Sequence, residues 1–356
     1  MNHLRFPLRT TLIAAALVMG QGEAMSADRS KPLSSPIVIA HRGASGERPE
    51  HTLAAYDLAI REGADVIEPD LVPTKDGHLV ARHENEISGT TDVASHPEFA
   101  DRKTTKTIDG LSETGWFTED FTLAELKTLR ARERLPQLRS TAYDGQFAIP
   151  TLEEIIALAK QRSKETGRTI SIYPETKHPT YFASIGKGTD APLVAALTKA
   201  GWTTADAPVF IQSFEVKNLQ HLKTMTGIRL IQLVAAEDGP ADKAASSYAA
   251  MMTPEGLKQV ATYAWGIGPD KAMLWNGDAP TYLVADAHAA GLRVHPWTYR
   301  AENQFVRPAF RRGSDPKAHG DVAGEIRAAL GQGIDGFFTD FPLIGVETRN
   351  AVLRPH

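Results

Sequence analysis

Glu68 and Asp70 stand two residues apart in the apolar run "VIEPDLV". In an extended chain that spacing sends both carboxylates to one side. Two carboxylates side by side in an apolar strand repel each other and resist burial. A hard divalent cation with oxygen ligands removes both costs. A salt-bridged pair at a strand end is the competing reading. A third carboxylate, Glu175, closes the next run, "RTISIYPE", and Lys177 follows two residues on. Three carboxylates at neighbouring strand ends suggest Ca²⁺ or Mg²⁺. The sequence has no cysteine, which argues against a thiolate zinc site.

Histidines gather at the same end. "HRGASGERPEHT", His41 to Thr52, follows the apolar "SSPIVIA" and leads into a helical pattern. A loop that only turned the chain would need little more than its glycines. Further on, Asp76-Gly77 in "TKDGHLVARHENE" is a tight-turn dipeptide of the hairpin kind. The turn sends "HLVARH" back and returns His83 to the rim that carries Glu68 and Asp70. One of the two imidazoles, His41 and His83, can take a proton while the other gives one. Arg42 supplies a planar fork suited to phosphate or carboxylate, and the helix start after "RPEHT" adds a positive dipole end. Cation, arginine, lysine and helix start together point to an anionic substrate, most simply a phosphate.

What must position these groups is a recurring unit. Eight short apolar runs, at 36–40, 64–72, 168–175, 208–213, 229–234, 264–269, 292–297 and 335–340, alternate with helical patterns such as "HTLAAYDLAIREG" and "TLEEIIALAKQRSKETG". Glycines 63, 167, 201 and 291 sit where helices should end. Pro69, Pro174, Pro269, Pro296 and Pro342 fall at or just past the ends of apolar runs, where a strand is finishing. Eight strands alternating with helices predict an α/β fold, a TIM (β/α)8 barrel, whose active sites sit at the carboxyl ends of the strands. A doubly wound open sheet is the alternative, but it would bring a glycine-rich fingerprint that is absent. Residues 84–149 break the alternation and are expected to form an insertion after the second strand, over the barrel mouth, with "TLAELKTLRARERL" as one helix. Residues 235–253 read as a shorter insertion. One barrel domain is expected over 36–350.

The net charge of −4 leaves no basic footprint, so a nucleic-acid partner is not expected. At the start, "MNHLRFPLRT" carries two arginines, "TLIAAALVMG" is a short apolar run, and Gly22-Glu23-Ala24 offers a small-x-small cleavage site. This is the plan of a secretory signal peptide over residues 1–24. The apolar run is too short to span a bilayer as a stable helix, so no stable membrane anchor is expected after cleavage. A chain without cysteine tolerates an oxidising compartment, and the periplasm, or secretion, is the expected location.

The stretch "AHRGASGERPEHTLAAYDLAIREGADVIEPDLVPTKDGHLVARHENEI" resembles the glycerophosphodiester phosphodiesterases. The similarity continues through "ISIYPETKHP", "VFIQSF", "IGPD", "VHPWTYR" and "DGFFTDFP". The resemblance implies a TIM barrel and hydrolysis of glycerophosphodiesters, small molecules left by deacylated phospholipids, to glycerol 3-phosphate and an alcohol. It implies that His41 and His83 are the general acid/base pair. It implies that Glu68, Asp70 and Glu175 hold one divalent cation, Ca²⁺ first and Mg²⁺ as the alternative. Arg42 and Lys177 match positions expected to contact phosphate, and Trp297 matches an aromatic of the glycerol pocket. Two departures stand out: His51 where many members have Asn, and Glu84 where many have Asp. Neither is expected to touch a metal or acid/base position, so the chemistry is not put in doubt and the effect expected is on pocket details. Two other readings remain. A lipid-cleaving barrel relative would expose aromatic residues of the insertion, such as Phe99, Trp116, Phe117 and Phe121. A binding protein for the same diesters would need no acid/base pair.

Overall fold

A computed structural model describes Met1 and residues 35–354; the expected signal peptide lies outside the described residues apart from Met1. All eight apolar runs carry parallel strand structure. One sheet orders Gly336–Thr339, Ile37–His41, Val66–Glu68 and Ser171–Ile172. The other orders Arg293–Val294, Gly266–Pro269, Arg229–Val234, Phe210–Ser213, Glu175–Thr176 and Asp70–Pro73, with Leu79–Ala81 antiparallel at its edge. Pro69 and the pair Tyr173-Pro174 interrupt two strands, which pass from one sheet to the other at those points. Parallel bridges Ile172–Val209 and Tyr299–Thr339 join the sheets at both edges, giving a TIM-type ring of eight strand positions.

Alternation sorts the strand residues. Val38 and Ala40 face the helices and join the large outer core, whereas Ile39 faces inward. The interior layer contains Ile39, Val66, Tyr173, Phe210, Ile231 and Phe338, closed by aromatic stacking such as Tyr173 on Phe210 at 4.9 Å. Two residues further along these strands, on the same inward side, stand His41, Glu68, Glu175, Gln212 and Asp340, with Leu233 the one apolar member. The polar layer is thus the next turn of the pleat above a dry aromatic one.

The helix after the first strand spans Leu53–Arg61, begun by Thr52, whose side chain accepts the Ala55 N–H at 3.1 Å. The corner before it is tight. Gly43 has φ of +88°, and a Cβ there would lie 2.7 Å from the Ala55 carbonyl carbon. Helix Leu152–Thr166 starts on a reciprocal cap between Thr151 and Glu154 and ends on left-handed Gly167. The helix Leu283–Ala289 follows a short antiparallel pairing of Trp275–Asn276 with Ala279–Pro280.

The chain between His83 and Ile149 has its own hydrophobic core, in which Phe99, Trp116, Phe121, Leu126, Leu129 and Ile149 are buried. Phe117 is fully buried too, so none of the four aromatic residues named above is presented to a lipid surface. The helix expected over 122–135 is overturned. Only Leu123–Leu126 is helical. From Leu129 the chain is extended, pairing by single bridges at Thr91–Ala131 and Arg130–Ala148. Leu129, Ala131 and Glu133 are buried while Arg130, Arg132 and Arg134 are not. That is a period of two, and "LRARER" carries it in the sequence. Non-local pairing outweighed helix propensity there.

Candidate active site

Strand register builds the site. His41 lies beside Glu68, Asp70 beside Glu175, and Glu175 beside Gln212. Adjacent strands are about 4.8 Å apart, so these side chains meet at the carboxyl-end rim. They surround a cavity of about 400 Å³ that is also lined by Arg42, His83, Lys177, Phe214, Trp297 and Arg300. Seven of the eight residues expected from the sequence line it directly. The eighth, Asp70, lies beneath, 3.3 Å from Arg42 Nε.

Glu68, Asp70 and Glu175 are all buried, with carboxylate oxygens within 4.8 Å of one another. Glu68 accepts the Arg42 backbone N–H at 2.8 Å and Gln212 Nε2 at 2.9 Å. Glu175 accepts Lys177 Nζ at 2.8 Å. Against the cost of burial, Lys177 and a hydrogen bond from His51 hold Asp70 well below the usual carboxylate range. Burial and the neighbouring Asp70 raise Glu175 to about 8, and burial with the other two carboxylates raises Glu68 strongly. Asp70 Oδ1 is buried with no hydrogen-bond partner. Three converging carboxylates, two of them reluctant to ionise together and one with an idle oxygen, fit a hard divalent cation.

The two histidines are mounted alike. His41 Nδ1 lies 2.6 Å from Asp340 Oδ1. Asp340 in turn accepts Arg139 Nη2 at 2.6 Å and Arg300 Nε at 3.0 Å. His83 Nδ1 contacts the Glu84 carboxylate, which accepts Arg134 at 3.0 and 2.6 Å. In both cases a carboxylate fixes the ring and an arginine fixes the carboxylate. Burial, then Arg42, pushes the His41 imidazole down to about 4, with Asp340 pulling the other way. Burial, then Arg42 and Lys177, pushes His83 down to about 3. Both rings are therefore neutral near pH 7 before substrate arrives.

The corner itself explains its composition. Arg42 and His51 both have positive φ, +60° and +54°. Arg42 turns back to Glu50 at 3.1 Å. His51, fully buried, bridges the Tyr56 hydroxyl at 2.7 Å and Asp70 Oδ2 at 2.8 Å. The expectation that neither His51 nor Glu84 touches an expected metal or acid/base position is thus wrong. One contacts a member of the carboxylate triad and the other contacts His83. The helix start after "RPEHT" is capped by its own Thr52.

Sequence reasoning missed Asp340, Gln212 and three arginines, Arg134, Arg139 and Arg300, and the contact of Glu84 with His83. Asp340 was legible as the acid ending the last strand, in "GFFTD". Arg134 and Arg139 were not, because they reach the rim from the irregular segment, whereas Arg300 ends the stretch "VHPWTYR". Trp297 is placed by Nε1 donating to the Gly268 carbonyl at 2.8 Å, with its ring nearly perpendicular to that of Phe214.

Residues 41–344 match the model of the glycerophosphoryl diester phosphodiesterase family. A glycerophosphodiester phosphodiesterase of Arabidopsis thaliana is 40% identical over 331 residues, 87% of this chain and 86% of that protein. One from Haemophilus influenzae is 31% identical over 373 residues, 96% of this chain and 97% of that protein. Among solved structures, a phosphodiesterase from Oleispira antarctica, in complex with the product sn-glycerol-3-phosphate, superposes with a TM-score of 0.59 at 23% identity. The match covers 89% of this chain and 97% of that one. A glycerophosphodiester phosphodiesterase from Agrobacterium tumefaciens gives 0.57 at 20% identity, covering 88% of this chain and 99% of that one. Those two likenesses speak to the fold, and the family match with the two sequence relatives speaks to the chemistry. The chain belongs to the glycerophosphoryl diester phosphodiesterase family and is a phosphodiesterase enzyme.

Proposed function

We propose that this protein hydrolyses glycerophosphodiesters to glycerol 3-phosphate and an alcohol, with His41 and His83 as the acid/base pair. Arg42 and Lys177 bind the phosphate. Glu68, Asp70 and Glu175 hold one divalent cation, Ca²⁺ by ligand type. The supporting observation is the pair of matched carboxylate–histidine mounts facing a single cavity beside the triad. With Nδ1 engaged, Nε2 is the ring nitrogen left to exchange a proton with substrate.

A cation bound by the triad would supply charge neutralisation at the phosphate oxygens. Arg42 and Lys177 orient the diester so that an oxygen nucleophile meets phosphorus opposite the alcohol oxygen: water, which gives glycerol 3-phosphate directly, or the neighbouring glycerol hydroxyl, which gives a cyclic phosphate that a water then opens to glycerol 3-phosphate. One neutral histidine accepts the nucleophile's proton. The other, protonated as the anionic diester binds and raises its proton affinity, gives a proton to the departing alkoxide. Trp297, on the wall of the same cavity, would cover the glycerol moiety. Secretion to the periplasm or beyond completes the proposal and rests on residues 1–24 alone.

The test is release of sn-glycerol 3-phosphate from glycerophosphocholine. Turnover should disappear after exhaustive EDTA dialysis and return with Ca²⁺. Turnover that survives dialysis overturns the cation. No turnover with any divalent cation overturns the activity.

A further inference from the structure

Asp70 stands behind the cavity wall, and its two oxygens have different surroundings. Oδ2 is engaged: His51 Nε2 lies 2.8 Å away and Arg42 Nε 3.3 Å away. Oδ1 is buried without a hydrogen-bond partner. A carboxylate accepts hydrogen bonds and donates none, so Nε2 of His51 carries the proton and donates it. Nδ1 is then the bare nitrogen and accepts a hydrogen bond from the Tyr56 hydroxyl at 2.7 Å. Tyr56, His51 and Asp70 thus form a directed chain that ends on one carboxylate oxygen.

The backbone holds the middle of this chain in place. The His51 N–H donates to the Arg42 carbonyl at 3.0 Å, and the His51 carbonyl accepts Arg82 Nη2 at 3.2 Å. Arg82 is fully buried and also donates to the Thr90 carbonyl at 3.4 Å, which ties the corner to the insertion. His51 is left-handed, with φ of +54°, a conformation histidine adopts more readily than most residues. Tyr56 comes from the helix Leu53–Arg61 and is fully buried. Neither His51 nor Tyr56 is among the residues lining the cavity, so both act on it through Asp70.

We infer that His51, oriented by Tyr56, is a positioning residue that makes Asp70 a one-oxygen ligand, presenting Oδ1 and withholding Oδ2 from the cation. The inference rests on the cation proposed at the triad. Calcium takes carboxylates through one oxygen or through two. With Oδ2 held by the His51 N–H, Asp70 has one oxygen to give, and it cannot rotate without breaking that bond. A ligand fixed before the ion arrives loses less freedom on binding, so affinity depends on the group that fixes it. A histidine that merely satisfied a buried carboxylate would matter to the stability of the ion-free chain and not to its affinity for the ion.

Calorimetric titration of the full chain with Ca²⁺, and separately with Mg²⁺, tests this. Tm in EDTA measures ion-free stability alongside. Asparagine tolerates positive φ, but its amide ends where Nδ1 lies, short of Asp70. His51→Asn should therefore weaken Ca²⁺ binding about 10- to 100-fold. The glutamine amide reaches the place of Nε2, so His51→Gln should keep most of the affinity. Tyr56→Phe removes one oxygen and leaves the ring in the core; it should weaken binding in the same direction by less. Wild-type affinity in a folded His51→Asn, or in Tyr56→Phe where His51→Asn does not fold, overturns the inference and leaves the cation in place. Equal losses in His51→Asn and His51→Gln, with Tm in EDTA lowered alike, overturn it too. A wild-type chain that binds neither ion overturns the proposed cation and this inference with it. Affinities falling from wild type through His51→Gln to His51→Asn, without turnover of glycerophosphocholine, keep the inference and sink the proposed activity.

Discussion

A histidine pushed below neutrality serves as a base at once and as an acid only after an anion reaches it. His41 at about 4 and His83 at about 3 are both in that condition. His41→Ala and His83→Ala should each lower kcat by roughly 10² to 10⁴, the usual worth of a positioned acid or base. KM should move less, because Arg42 and Lys177 remain. Folding should survive even for buried His41, since Asp340 keeps Arg139 and Arg300. The two losses should not add, because both groups serve one transition state. A p-nitrophenyl diester needs little proton donation and should rescue the variant lacking the general acid while leaving the other slow. Near-wild-type kcat in either variant on glycerophosphocholine contradicts the paired-histidine mechanism.

At the scale of elements, the extended stretch from Leu129 to Arg139 acts as a strap between the two histidine mounts. Arg134 joins Glu50 and Glu84, and Arg139 joins Glu302 and Asp340. These are positioning residues, acting through the carboxylates that hold the rings. Arg139→Ala removes one positive neighbour of Asp340, whose carboxylate then pulls harder on the His41 proton. The pH limb set by His41 should move to higher pH, with kcat down about tenfold to a hundredfold and KM changed less. Arg139 is buried and Arg134 about a quarter exposed, at side-chain values of 7% and 26%. Breaking a buried pair costs about 3–5 kcal/mol, so Arg139→Ala should lower Tm more than Arg134→Ala does. An unshifted pH profile in Arg139→Ala would show the strap to be structural only.

For the whole molecule, acid and alkaline limits have different origins. Burial holds His41 and His295 down to about 4, against an ordinary 6.5. The native state therefore binds fewer protons than the unfolded chain, and stability falls as pH drops below 6.5 toward 4. Glu175 is raised to about 8 from 4.5, so without a cation the native state binds more protons there. That contribution is lost as pH rises from 4.5 through 8. A bound cation needs the triad ionised, so protons compete with it. Ca²⁺ should raise Tm strongly near pH 8 and weakly near pH 5, with about 2.7 kcal/mol expected at a hundredfold excess over Kd. Thermal scans across this range with Ca²⁺ and with EDTA check it. A Ca²⁺ increment independent of pH would count against the triad as the site.

The sequence by itself determined the eight strands, most of the helices and which residues gather at the rim, because each is a local signal. Apolar runs ended by proline, glycine past a helix, and Glu68 and Asp70 at a spacing of two can all be read within a few residues. His41, His83, Glu175, Arg42, Lys177 and Trp297 were legible for the same reason, as ends of strands or neighbours of those ends. Only the tertiary structure decided what lies behind them. His51 reaches Asp70 across 19 positions, Arg139 reaches Asp340 across 201, and Tyr248 approaches Phe214 from a loop. The stretch at 129–134 became extended because its partners, Thr91 and Ala148, lie in other parts of the insertion. A local period of two can mark such a stretch as extended, but which segment it pairs with and in what register is not local, so that becomes visible only in the folded chain.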